Sequence, residues 1–122
     1  MKQGDIVRSY PALMWLGNQH MNRDDAWAVF EFTESAEKII QFQAAEERKL
    51  VEKYGAEMDS NGMFKFKDHE SFVKFEDEMN ALHELEAEGL KPLKISLAAN
   101  PDITISPKEI KDLKGVVDIV KG

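Results

Sequence analysis

The sequence predicts an α+β fold, mainly α. A long antiparallel helix pair, at about 24–54 and 69–88, is joined by a β-hairpin tip; an N-terminal helix precedes it, and a small C-terminal strand pair plus a short helix follow. Three observations carry this expectation. No Pro or Gly interrupts residues 25–54, apolar residues recur at spacings of three and four from Phe72 to Leu85, and beyond Gly89 the apolar period shortens to two. No segment rich in Pro, Gly or Ser and no internal repeat divides the chain, so residues 1–122 read as a single domain.

The first helix has two possible starts. Ile6, Tyr10, Leu13 and Leu16 or Gly17 fall at helical spacing, but Pro11 lacks an amide and its ring crowds the carbonyl four residues back. Either Ser9 caps a helix with Pro11 in its first turn, or the helix begins near Gly4 and kinks at the proline. Gly17 and Asn18 then end it. The second helix takes Asp24 or Asn22 as its cap and Gly55 as its left-handed stop. At 1.5 Å per residue it runs to roughly 45 Å, more than a domain of this size needs to cover its own core. Val29, Phe32, Ala36, Ile39, Ile40, Val51 and Tyr54 make one stripe. Trp27, Phe30 and Phe42 fall off that stripe and need another segment or another chain to cover them. The third helix, capped by Asp68, carries Phe72, Phe75, Met79, Leu82 and Leu85.

After Gly89, "LKISL" and "DITIS" alternate apolar with polar residues and flank the turn "AANPD", which suggests that these two short strands pair. Ser106, Pro107 and Glu109 spell a capping box with proline at the first helical position, starting a helix over 107–113. Gly115 breaks it, leaving "VVDIV" as a strand or a helical turn.

Between the two long helices, "EMDSNGMFKFKD" places Glu57, Asp59, Asn61, Gly62 and Asp68 in the register of a calcium loop, at positions 1, 3, 5, 6 and 12. The residue types fit that register poorly. Position 1 is ordinarily Asp, Asp68 is too short to bring two oxygens to an ion easily, and Lys65 brings a cation. Asn61-Gly62 is also the preferred pair for a two-residue type I′ turn, and "MFKFK" alternates like a strand, so a hairpin accounts for the same residues without a metal.

Net charge is −7, with −9 in residues 1–88 and +2 in residues 89–122. A surface that binds duplex needs clustered cations, so direct nucleic-acid binding is not expected. Without cysteine there is no thiolate nucleophile or ligand and no disulfide, as befits a reducing compartment. The N-terminal stretch does not read as a signal peptide, and no run is apolar enough for a membrane span. His83, beside Glu84 and Glu86, has no second histidine at ligand spacing. The serines stand in no nucleophile elbow, no glycine-rich phosphate loop occurs, and the paired carboxylates lie where a solvated helix face puts them. The residues therefore suggest neither a catalytic set nor a cofactor.

Taken together, "PALMWLGNQHM", "AWAVF…AEKIIQFQAAEERKLVEKYG", the tip "DSNGMFKFKD", "FVKFEDEMNALHELE" and "LKISL…ITISPKEIKDL" resemble a family of small phage and prophage proteins, found mainly with Firmicutes hosts. That family shares an N-terminal helix with an "AL..L" core, a long helix ending in "KYG", a tip of variable length and a closing "ISPAEL". The resemblance spans nearly the whole chain and departs at the Pro11-containing start and at "PDITIS". Its motifs are structural and transfer no catalytic residue. It implies a phage protein acting in the host bacterial cytoplasm, with function otherwise undefined.

Two classes of function follow as expectations. In the first, a non-enzymatic binding protein acts on the host, as an anti-defence inhibitor that binds a host immune protein or as a sequestering agent for a nucleotide signal. Tyr10, Trp15, Trp27 and Phe30 are then the candidate anchors, and Lys91, Lys94 and Lys108 the candidate phosphate contacts. In the second, a tail or head assembly chaperone or minor structural protein pairs its long helix in a homo-oligomer.

Overall fold

The computed structural model describes residues 1–122. In chain order it contains α1 (Gln3–Gly17), α2 (Arg23–Lys53), β1 (Glu57–Met58), β2 (Phe64–Lys65), α3 (His69–His83), β3 (Leu93–Ser96), α4 (Pro107–Leu113) and β4 (Val117–Val120). The chain is mainly helical with two small strand pairs, the α+β class expected. No helix is long and apolar enough to cross a membrane.

Helix α1 takes the earlier of its two expected starts and carries Pro11 in its interior. The Lys2 amide donates to Asp5 Oδ2 at 3.0 Å, which closes the N-terminal turn. Pro11 sits on the exposed face, while Ile6, Leu13 and Leu16 are fully buried, so tertiary packing holds a helix that local propensity would interrupt. Ser9, rather than Tyr10, occupies the inner stripe. Its hydroxyl donates to the Asp5 carbonyl at 2.8 Å, which satisfies a polar group that packing has shut away from water. Against α1 lie α2, α3 and α4. Val29, Phe32 and Ala36 of α2, Ile95 of β3, Leu113 of α4, Val116 just before β4 and Val117 of β4 join a single cluster of buried apolar residues.

Beyond that cluster α2 continues without a core. From residue 44 to residue 86 only Ser71 is buried. Lys53 and the Tyr54 hydroxyl both reach Glu78, while near the cluster Gln43 Nε2 donates to the Leu82 carbonyl at 3.0 Å and to Gln3 Oε1 at 2.8 Å. Four rings, Phe64, Phe66, Phe72 and Phe75, stack between hairpin and α3 at centroid separations of 5.0 to 6.2 Å. Helix α3 ends at His83, five residues short of the expected 88. The reason is a competing partner: Lys2 bridges to Glu86, the Gln3 amide donates to the Leu85 carbonyl at 2.7 Å, and the Ala87 amide donates to the Met1 carbonyl at 2.9 Å. Backbone groups that would have continued the helix are committed to the N-terminus.

The hairpin forms, with Glu57 opposite Lys65 and Met58 opposite Phe64, but not around a two-residue I′ turn. Such a turn needs positive φ at Asn61 as well as Gly62, and only Gly62 has it, at +79°. Instead the Gly62 amide donates to the Asp59 carbonyl at 3.1 Å, and the Asp59 amide to the Met63 carbonyl at 2.8 Å. This is a three-residue loop whose glycine supplies the left-handed step.

The expected pairing of "LKISL" with "DITIS" does not occur. Strand β3 pairs in parallel with β4, Leu93 opposite Val117 through Ser96 opposite Val120, and α4 forms the crossover. Residues 103–106 are irregular because Asn100 holds the chain before them: its amide donates to the Leu97 carbonyl and its own carbonyl accepts from the Ile103 amide, both at 3.1 Å. Ile103 is buried all the same, so the alternation that resembled a strand reflects burial alone. Helix α4 spans the expected residues with Pro107 at its start, though the Ser106 side chain makes no capping hydrogen bond.

Candidate interaction site

Where α1 meets α2 the chain turns through residues 18–22, and short polar residues build the corner. Asn18 Nδ2 donates to the Met14 carbonyl at 3.1 Å, closing α1. Asn22 accepts from the Asp25 amide at 2.8 Å, opening α2. Asn100, only 2% exposed, bolts this corner to the C-terminal segment. Its Oδ1 accepts from the Asn22 amide at 2.8 Å, and its Nδ2 donates to Asp25 Oδ2 at 2.7 Å and to the Ser96 carbonyl at 2.8 Å.

This corner sets the first turns of α2 beside the last turns of α1 and leaves a groove between them of about 240 Å³, with Leu13, Met14 and Gly17 on one wall and Ala26, Phe30 and Thr33 on the other. Gly17 keeps the wall low, since a Cβ there would meet no atom within 4 Å. Thr33 Oγ1 is enclosed without a hydrogen-bond partner. Two large apolar side chains of the lining keep much of their surface in water, Phe30 at 52% and Met14 at 45%, and Trp27, 63% exposed, stands outside the lining beside Phe30. The two rings lie 5.5 Å apart at 35°. On a helix of 3.6 residues per turn, Trp27 and Phe30 project away from Phe32 and Ala36, which explains why the core leaves them uncovered.

Of the residues singled out from the sequence, Trp27 and Phe30 are therefore brought together. Trp15 is half-buried and packs on the core, and Tyr10 is half-buried one turn before Met14, outside the groove lining. Met14, Gly17 and Thr33 were not singled out, because only the corner between the helices shows which side of α1 faces the rings.

The lysines do not converge. Lys94 borders the largest hollow, about 620 Å³ and wide open, together with Arg23, Asp24 and Asp25, but neither Lys91 nor Lys108 does. No aromatic ring lines it, and Arg23 and Lys94 share it with Asp24 and Asp25, so the stacking surface that a nucleotide base needs is not assembled there.

At the tip the calcium candidates have other employment. Asp59 Oδ1 accepts from the amides of Asn61 and Met63 at 2.8 and 3.0 Å, an Asx turn inside the hairpin loop. Asp68 Oδ1 accepts from the Ser71 amide at 2.7 Å as the cap of α3, and this bond holds its carboxyl below the usual carboxylate range. Glu57 lies exposed on β1 and Asn61 exposed in the loop. No three His, Asp or Glu side chains gather into a metal-holding group. On α3, hydrogen bonds from the Tyr54 hydroxyl first and Lys53 second hold the Glu78 carboxyl below the usual carboxylate range.

No protein-family model matches the chain, and neither a curated protein nor a solved structure matches it.

Proposed function

We propose that this chain is a phage-encoded, non-enzymatic binding protein that docks a host protein through the groove between α1 and α2. One observation carries the docking: Phe30, on the wall of an apolar groove, stands side by side in solvent with Trp27, so an exposed pair of rings adjoins the groove. Rings of this kind supply much of the energy of protein interfaces, and adjoining exposed apolar groups mark a surface that a partner covers. The groove is smaller than the roughly 300–1,000 Å³ of typical small-molecule sites, which favours a partner side chain as occupant. Phage origin and a bacterial cytoplasmic setting rest on the family resemblance of the helical and tip motifs, and an anti-defence role is the form of host binding that a small acidic single domain without catalytic motifs suits. In this reading α2 and α3 form an antiparallel arm that carries the hairpin away from the docking end.

A second reading, a virion-assembly accessory, is favoured by the tip. Met58 and Met63 are 63% and 66% exposed there, and Phe72 and Val73 of α3 are exposed nearby, so a chain with two separate apolar surfaces can bridge neighbours. Affinity capture from infected host cells separates the two. Docking through the groove predicts a host protein retained by wild type and by Met63→Ser but lost from Trp27→Ala/Phe30→Ala. A phage structural protein lost only from Met63→Ser establishes the assembly reading instead, and a partner retained by both variants removes both.

A further inference from the structure

We propose that the occupant of the α1–α2 groove is a cationic amphipathic segment of the partner, one whose apolar anchor enters between Met14 and Phe30 while flanking Lys or Arg side chains meet the carboxylates of α2. The inference rests on the groove being the docking site and adds the chemistry of what docks.

Charge around the groove comes almost wholly from one helix. From Ser9 in α1 to Gln19 just beyond its end there is no charged residue, so the wall that carries Met14 is neutral. Residues 23–38 of α2 hold five carboxylates against two cations, Arg23 and Lys38. Asp25 is committed to the Asn22–Asn100 corner, and Asp24 pairs with Arg23. Glu31, Glu34 and Glu37 remain. All three are exposed, and none takes part in an ion pair of the structure, Lys38 included.

Helical geometry places these three carboxylates where a visitor would meet them. At 100° per residue, Glu34 lies between Trp27 and Phe30 around the helix axis, Glu37 follows Thr33 and Phe30 along the groove edge, and Glu31 flanks Trp27 on its far side. Lys38 falls in the same sector, between Trp27 and Glu31, so the rings stand beside three unpaired carboxylates against one unpaired cation, a net negative surface. A cation arriving beside an apolar anchor finds both attraction and, over Trp27 and Phe30, the negative faces of the rings. The same row argues against a second copy of this chain as occupant, because a groove-to-groove pair would set Glu31, Glu34 and Glu37 against themselves in a molecule already at −7.

Two short helical peptides with one shared leucine and methionine stripe test this, one rimmed with Lys and the other with Glu. The Lys-rimmed peptide is expected to bind about tenfold more tightly at low salt. Amide and indole shifts should gather at Met14, Trp27 and Phe30, and the preference should vanish both at high salt and in Glu31→Gln/Glu34→Gln/Glu37→Gln. Equal binding of the two peptides, with Trp27→Ala still weakening both, overturns the charge inference and leaves the docking site standing. Absence of binding by either peptide, or binding indifferent to Trp27→Ala/Phe30→Ala, overturns the docking site and the inference together. Gly17→Leu, which raises the groove wall at a position with no neighbouring atoms, should block the anchor in a folded protein. Self-association of the free protein that Trp27→Asp abolishes would make a second copy the occupant and overturn the proposal.

Discussion

Asn100 holds the corner on which the groove depends, and it does so with one side chain that reaches three separate backbone or side-chain partners. Replacing it with alanine strands the Asn22 amide and the Ser96 carbonyl near a buried position and takes one of two donors from Asp25 Oδ2, which keeps Asn22 Nδ2. Leaving such groups unpaired costs roughly 1–3 kcal/mol each when water cannot reach them. Partial access to solvent at Asp25 lowers the sum, so Asn100→Ala should lose about 2–4 kcal/mol in urea unfolding. The Trp27 environment should change with it, which near-ultraviolet circular dichroism reads directly. A second residue-scale expectation concerns acid. Hydrogen bonds hold Glu78 and Asp68 below the usual carboxylate range in the folded protein, so on acidification the unfolded chain binds protons at these sites first. Their contribution to stability is therefore complete above about pH 4.5 and is lost as pH falls through the lowered folded-state values. Between about pH 6 and pH 3 the melting temperature of Glu78→Gln or Asp68→Asn should fall less steeply than that of wild type. Equal slopes would mean that neither bond matters to folding.

Among the elements, the close approach of α1 to the end of α3 invites the sharpest test. A Cβ at Gly4 would stand 2.7 Å from the Cβ of His83 and 3.0 Å from its carbonyl oxygen, so the two segments meet through a glycine because nothing larger fits. Gly4→Ala should cost about 1–3 kcal/mol despite the better helix propensity of alanine. Gly17→Ala adds the same methyl at the other end of α1 where it meets nothing, and should be neutral or slightly stabilising. Chemical denaturation of the pair checks this; equal losses would mean that the cost lies in helix ends and not in the contact. The elements also differ in how far local chemistry announces them. Helix α2 is framed by Asn22 and Gly55, and α4 by Pro107, because caps act within a few residues. Helix α3 carried its stripe past His83 to Leu85, yet the N-terminus took the backbone of residues 85–87. A periodic pattern cannot reveal a competitor that lies some eighty residues away in sequence.

At the scale of the whole molecule, one buried cluster gathers the N-terminal helix, the first half of α2 and the C-terminal β3–α4–β4 unit, while the second half of α2, the hairpin and α3 contribute no buried apolar residue to it. The choice of strand partner belongs to this scale and is testable. Val117 of β4 is 1% exposed and Ile105, in the segment whose alternation resembles a strand, is half-buried. Val117→Asp places an unpaired charge in the cluster and should lose more than about 3 kcal/mol, enough to unfold a domain of ordinary stability. Ile105→Asp should cost visibly less. Thermal melts by circular dichroism decide, and the reverse order would argue for the pairing with 103–105. The sequence by itself determined the helical class, the span of α2, the hairpin and the proline-started α4, since each follows from periodicity, caps or turn residues acting over a few positions. It also marked Trp27 and Phe30 as rings without a place on the inner stripe. Only the tertiary structure decided that β3 pairs with β4, that α1 runs through Pro11, that Asn100 bolts the corner and that Met14 and Gly17 line a groove with Phe30. Each of these is a contest between distant segments for the same buried surface or backbone partner, and packing settles such contests where local propensity is indifferent.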